Sequence, residues 1–559
     1  MKTRLSQLFL ILSILYSGGL VAAPGQYALA VPDHFAADVA EQVFADGGNA
    51  VDAAIAVGFS LAVTLPEAGN LGGGGFMLVY FEGEPYFIDY REMAPGAASP
   101  DMYLNENGNV VGNPSLVGHK AAGVPGTVMG MWEAHQRFAA LPWSRLLRPA
   151  IKLAQQGFKA PQQLADHIAD DLAFFAPTNF ADYFGGVRAG ENFVQKELAS
   201  TLERIADHGP KDFYEGKTAE LIVASMQAND GLITLEDLAG YQVAWRNPIV
   251  AQWRDKKLLT APLPSSGGIA LTTLLTMREL LADNFKGLAH NSPQYVHLLA
   301  EMEKRVYADR GEYLGDSDYI DVPVAELLDP AYIARRAAAV NPRTISDTEK
   351  VVPGLYESPQ TTHYSIVDAA GNAVSNTYTL NLSFGSGAVV EGAGFLLNDE
   401  MDDFSIKPGV PNAYGVIGGK ANEIQPGKRM LSSMTPTIVL DSESNVDMVT
   451  GSPGGSTIIT TVMQSILNNY DFAMTAAENA SAQRVHHQLY PKNLITYHPA
   501  LPGEVVTVLE RMGYQVQKHP WTMGDLQIVV KTAAGKWSAG SDARGRGAAV
   551  VGEIVTARP

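Results

Sequence analysis

The chain has 559 residues, no cysteine and a formal net charge of −19. Without cysteine there are no disulfides, no thiol catalysis and no lipid-anchored cysteine, and the composition suits an oxidising compartment. The acidic balance and the lack of any Lys/Arg-rich block speak against a nucleic-acid partner. No segment after the first two dozen residues is apolar and long enough for a membrane span.

The N-terminus reads as a secretory signal. Lys2 and Arg4 precede an apolar run from Leu8 to Leu15, and Val21-Ala22-Ala23 offers small residues for cleavage. A signal peptide of residues 1–23 makes the protein periplasmic or secreted. Ala28-Leu29-Ala30 is a second cleavage candidate, but Tyr27 to Val31 looks like the first strand. Length alone suggests three or four domains of roughly 150 residues, yet no linker or repeat divides the chain.

Two helices follow. His34 to Asp46 carries Phe35, Val39 and Val43 at helical spacing and ends at Gly47-Gly48. Asn49 caps a second helix whose small and apolar residues predict burial. The glycine run Gly72 to Gly75 leads into a strand, Phe76 to Phe81. It fits no dinucleotide fingerprint, because no G-x-G-x-x-G register exists and a strand stands where a helix should start. Gly216-Lys217-Thr218 fails as a phosphate loop, since Lys211 stands where a glycine is needed. Both read as structural glycines. Arg91 ends the strand Tyr86 to Tyr90. Residues 140–345 read as mostly helical scaffold, with starts at Ser144, Thr234 and Ser292-Pro293.

The richest stretch is Thr361 to Asn381. Two alternating runs, rich in Thr, Tyr, Ile and Val, flank Ala369-Ala370-Gly371, a three-residue loop with glycine third. With Asp368 facing Asn372, Thr361 falls opposite Thr379, and directly opposed residues share a sheet face. Downstream, Asp399, Glu400, Asp402 and Asp403 cluster without EF-hand spacing. Residues 408–423 form a glycine-containing loop. Gly454-Gly455 sits in a tight turn ahead of a Thr/Ile/Val-rich stretch. His486-His487 lacks metal-binding spacing and reads as structural. The reading calls for no metal and no cofactor.

In combination these motifs carry a resemblance. T-T-H-Y-S at 361–365, T-Y-T-L-N at 377–381, L-N-D-E-M-D-D-F-S at 397–405, L-S-S-M at 431–434, G-S-P-G-G-S at 451–456, N-L-G-G-G-G-F at 70–76 and D-Y-R-E-M-A-P at 89–95 resemble the γ-glutamyltranspeptidase family of N-terminal-nucleophile hydrolases. They run in family order over nearly the whole chain. The resemblance implies an α+β fold, a four-layer αββα sandwich. It also implies one interwoven domain built from a large subunit (24–360) and a small subunit (361–559), paired as a heterodimer after self-cleavage between Gln360 and Thr361. Thr361 would be the nucleophile, Thr379 its orienting partner, and the N–H groups of Gly454 and Gly455 the oxyanion hole. Arg91 would grip the α-carboxylate of a γ-glutamyl donor, since a guanidinium holds a carboxylate with two bonds. Glu400 and Asp403 would meet its α-ammonium, with Asn381, Ser432 and Ser433 completing the site. Tyr414 would wall it off from a lid.

A threonine hydroxyl needs a base, and no histidine–carboxylate pair is evident near Thr361. Cleavage before Thr361 supplies its own α-amine, whose ordinary pKa is about 7.7–8.0. The implied reaction attacks glutathione or another γ-glutamyl compound and passes the acyl group to water, an amino acid or a dipeptide. Two other readings stand beside it. One is a related acylase that removes glutaryl side chains from β-lactam nuclei, and the other is a processed but inactive amino-acid-binding protein.

Overall fold

The computed structural model describes residues 25–351, 361–406 and 419–554; the signal segment, Gln360 and Tyr414 lie outside them. Two antiparallel sheets stack face to face. In chain order their strands are β1 (Gly25–Val31), β2 (Gly74–Phe81), β3 (Glu84–Tyr90), β4 (Ala244–Arg246), β5 (Ile249–Trp253), β6 (Lys256–Thr260), β7 (Thr362–Val367), β8 (Ala373–Thr379), β9 (Thr437–Leu440), β10 (Val446–Gly451), β11 (Gln527–Lys531), β12 (Trp537–Ser541) and β13 (Ala548–Ile554). The first sheet has the order β13-β1-β7-β8-β2-β3-β4 and the second β12-β11-β10-β9-β6-β5.

Side-chain alternation assigns the layers, because successive strand residues point to opposite faces. Leu29, Met77, Val79, Tyr364 and Ile366 face helices α1 (His34–Ala45) and α2 (Ala50–Thr64). Their neighbours Ala28, Ala30, Phe76, Leu78 and Val367 face the second sheet. Beyond that sheet pack α3 (Gly267–Leu280), α4 (Pro293–Tyr313) and α5 (Thr457–Tyr470). The result is the αββα sandwich. Hydrogen bonds also stitch the sheets together: Ser375 Oγ donates to Thr450 O at 3.2 Å and accepts from Thr437 N at 3.0 Å.

The hairpin has the register the sequence predicts. Val367 pairs with Ala373 and Thr362 with Tyr378, and Asp368 N donates to Asn372 O at 3.0 Å. Gly371 turns the chain at φ +87°. The Asp368 carboxylate accepts from Ala370 N and Asn372 N inside the loop and from Ala50 N at the start of α2. One side chain thus fixes the turn to the outer helix layer. The stretch 140–345 is mostly helical, as read, but within it Ala244 to Thr260 forms three strands, β4 in the first sheet and β5 and β6 in the second. Short strands joined by turns such as Arg254-Asp255 carry none of the usual Asn-Gly or Asp-Gly signals.

Candidate active site

Residues 361, 363, 365 and 367 share the inter-sheet face of β7, as 373, 375, 377 and 379 share that of β8. Continuing the ladder by one pair brings Thr361 opposite Thr379 at the open end of the hairpin. Both are buried, at 7% and 2% exposure. Thr379 Oγ1 accepts from Asn381 N at 2.8 Å, with Asn381 held in the left-handed region at φ +80°. Asparagine tolerates that region better than most residues. Asn381 Nδ2 reaches Asp399 O at 3.1 Å, tying β8 to the acidic turn.

The glycine run explains how these pieces come so close. A Cβ on Gly73 would stand 2.0 Å from Thr379 O, and one on Gly72 would stand 2.1 Å from Leu396 O. Gly72 bridges Leu397, and Asn398 Nδ2 donates to Gly72 O at 2.7 Å and Gly123 O at 2.8 Å. Close backbone approach is what glycine permits and any side chain forbids.

Arg91 leaves the end of β3 and is 1% exposed. Its Nη1 lies 2.6 Å from Glu400 Oε2 and 3.6 Å from Glu92 Oε2, while Nη2 bonds Asp403 Oδ2. Burial works against its charge, but Glu400, Asp403 and Glu92 overcome that and hold the guanidinium more firmly protonated than usual. Burial raises the carboxyls in turn: Glu92 to about 8, Glu400 well above the ordinary range, and Asp403 upward against the pull of Arg91 and Arg310. The site is an acid-rich cluster around two arginines in a dry environment.

Ser432 and Ser433 arrive on the strand-like segment before β9. Ser432 N donates to Pro264 O at 2.9 Å, and its carbonyl accepts from Ser266 N at 2.7 Å. Gly454 and Gly455 follow β10 in the left-handed half of conformational space, at φ +133° and +55°. Their carbonyls accept from Thr457 N and Ile458 N, each at 3.0 Å, and neither glycine N–H donates a hydrogen bond among the described residues.

One small cavity is lined by Arg91, Thr361, Thr379, Asn381, Glu400, Asp403, Ser432, Ser433 and Gly455, together with Met434 and Ile458. Gly454 adjoins it in sequence but does not line it. Thr361 also borders a second, open cleft of ≈ 690 Å³ on its other side. Sequence reasoning missed Glu92 and Arg310. Glu92 directly follows Arg91, a visible signal. Arg310 sits in the last turn of α4 with nothing local to mark it as part of the site. His486 reads as structural here too: it bonds Thr460 Oγ1 at 2.9 Å and Gln488 Oε1 at 2.6 Å, and burial pulls its pKa down to about 3.

A hydroxyl at a strand end, glycine amides after a neighbouring strand and a buried set of opposite charges suit acyl transfer from a zwitterionic substrate. The comparisons agree with that chemistry. A family model described as Gamma-glutamyltranspeptidase matches residues 36–552. The chain is 59% identical over 527 residues to a glutathione hydrolase proenzyme of Pseudomonas aeruginosa, covering 94% of each. A solved γ-glutamyltranspeptidase chain from Pseudomonas nitroreducens, in a complex with L-DON, is 59% identical; the match covers 60% of this chain and 99% of that one, with TM-score 0.57. A cephalosporin acylase from Bacillus halodurans shares the fold over 97% of this chain and 99% of that one, at 23% identity and TM-score 0.80.

Proposed function

Since the chain belongs to the γ-glutamyltranspeptidase family, an N-terminal-nucleophile γ-glutamyl transferase and glutathione hydrolase made as a proenzyme, we propose which of its residues do the work. Cleavage between Gln360 and Thr361 yields a large subunit, 24–360, and a small one, 361–559, that stay paired. The freed Thr361 α-amine takes the proton from its own hydroxyl as the oxygen attacks the γ-amide carbonyl. The N–H groups of Gly454 and Gly455 stabilise the oxyanion. Collapse breaks the C–N bond, the ammonium returns its proton to the leaving amine, and a γ-glutamyl ester remains on Thr361. Water, or the amine of an amino acid or dipeptide, then takes the acyl group. Thr379 orients Thr361. Export follows from the 1–23 segment.

The observation that supports this most strongly is the single cavity joining Thr361 to Arg91, Glu400, Asp403, Asn381 and the serine pair. Its volume of ≈ 20 Å³ is about that of one water. Arg91 is already matched to Glu400 and Asp403. A donor therefore enters by exchange: its α-carboxylate takes Arg91 while its α-ammonium takes the two freed carboxylates. Every charge stays paired.

Intact-mass measurement tests the reading. Wild type is expected as two polypeptides, the smaller beginning at Thr361, and Thr361→Ala as one inert chain. Cleavage of the freshly purified Thr361→Ala protein at the same bond would overturn self-processing.

A further inference from the structure

Helix α4 reaches the site twice, on successive turns of one face, and the chemistry above uses neither residue. Arg310 is 3% exposed, and its Nε donates to Ser266 Oγ at 2.8 Å and its Nη2 to Ser433 Oγ at 3.2 Å. Ser266 Oγ passes the link on to Ser432 O at 2.7 Å. Three residues earlier, Tyr307 is 1% exposed and its hydroxyl donates to Ser456 O, one residue past Gly455. Residues three apart on a helix lie on one face, so a single rigid element touches the serine pair and the glycine turn together.

We propose that Arg310 and Tyr307 are positioning residues with separable duties, Arg310 setting the Ser432–Ser433 pair for donor binding and Tyr307 setting the Gly454–Gly455 turn for the transition state. The guanidinium suits its duty because its planar fork directs two donors at fixed angles, which a lysine ammonium cannot reproduce. It also lies near enough to Asp403 to favour that carboxylate's charged form. Arg310 therefore supports the ammonium-binding side from behind without facing the reacting atoms. The phenol suits its own duty because Ser456 precedes α5, and anchoring that carbonyl limits how far the preceding glycines can swing. Sites held this way lose function when a supporting side chain is shortened, even though nothing touching substrate has changed.

The proposal rests on the donor-pocket reading, and the test separates the two. Steady-state hydrolysis of a γ-glutamyl anilide is measured for Arg310→Lys, Arg310→Met and Tyr307→Phe, normalised to the fraction of chain that has self-cleaved. Loss of a charge-assisted hydrogen bond predicts a KM rise of about tenfold or more for Arg310→Met, with kcat within about threefold, and a smaller KM rise for Arg310→Lys. Tyr307→Phe predicts the opposite split, kcat down about tenfold at nearly unchanged KM. Combining Arg310→Lys with Ser433→Ala should add little to the larger single effect, because both cut one link. Equal KM and kcat changes in both variants, or a wild-type KM for Arg310→Lys, would overturn the proposal. The Arg310→Lys arm decides it if Arg310→Met does not fold. Failure of the donor-pocket reading would appear instead as an unchanged KM in Arg91→Lys.

Discussion

The two spaces that meet at Thr361 are built on opposite principles. On one side the proposed donor cavity is small and lined by the buried charges of Arg91, Glu400 and Asp403, paired with one another. On the other lies a cleft of ≈ 690 Å³ in which the exposed Asp170 and Lys518 and the half-buried His167 mix with Trp521, itself 52% exposed. Charges in an open cleft are screened by water and discriminate weakly, whereas an unmatched charge in a dry pocket is expensive. On the proposed function, such a site would be strict about the group it acylates itself with and permissive about what leaves or arrives on the other side.

The largest expected effect comes from breaking the match in the proposed donor pocket through the substrate. A glutaryl group has the carboxylate and the chain but no α-ammonium. It would take Arg91 from Glu400 and Asp403 and give them nothing in return. Sites built around a polar group reject an analogue lacking it by about 10⁴–10⁵ in kcat/KM. Strong turnover of a γ-glutamyl anilide and only trace turnover of the matched glutaryl anilide are expected. Asp403→Asn, with one carboxylate fewer to leave stranded, should hurt the first and narrow the gap. Comparable wild-type rates on both would favour the acylase reading.

Next in size is Arg91. Truncating one partner of a buried charged set predicts a loss of about 10²–10³ in kcat/KM for Arg91→Ala, carried by KM. Precursor cleavage should survive, because it needs no substrate carboxylate. Arg91→Lys keeps the charge and loses the fork, so its KM should fall between. A Gly454→Ala change acts on the other parameter. Its Cβ would lie 2.4 Å from Thr457 Oγ1 at a φ that disfavours side chains. Displacing one oxyanion donor predicts about a 10²-fold fall in kcat at similar KM. A KM effect from Gly454→Ala would mean the two spaces are less independent than drawn.

What the sequence made legible follows the same divide between local and remote causes. The hairpin could be read because its register is fixed within a dozen residues by Asp368, Gly371 and strict alternation. The glycine run could be recognised as packing because its spacing excluded a phosphate loop, although its true neighbours, Thr379 O and Leu396 O, lie some 300 residues away. The roles of Glu400, Asp403 and Asn381 came from resemblance and not from pattern, since an acidic cluster alone more often faces water. Arg310 and Tyr307 were invisible. A helix sequence gives its own faces but not what packs against them, and α4's partners Ser433 and Ser456 come from the far side of the hairpin. The strands β4 to β6 were hidden by brevity and by turns without marked chemistry.

The smallest expected effect lies in the cleft and asks whether its buried carboxyl is a tool or only a cost. Asp525 is partly buried at the cleft wall, and burial, helped by Asp542, pushes its pKa up to about 8. Its ordinary unfolded value is about 3.9. Between those values the folded chain keeps a proton that the unfolded chain has given up, so this residue's contribution to stability falls as pH rises from about 4 to about 8. Asp525→Asn removes that dependence. The variant should melt above wild type at pH 8, with the gap shrinking towards pH 4. Its KM and kcat for a γ-glutamyl anilide should stay within about twofold, because Asp525 lines only the open side. Thermal melts at both pH values and one kinetic series decide the matter. A large KM change in Asp525→Asn would extend the strict chemistry of the donor pocket across Thr361 and dissolve the contrast between its two sides.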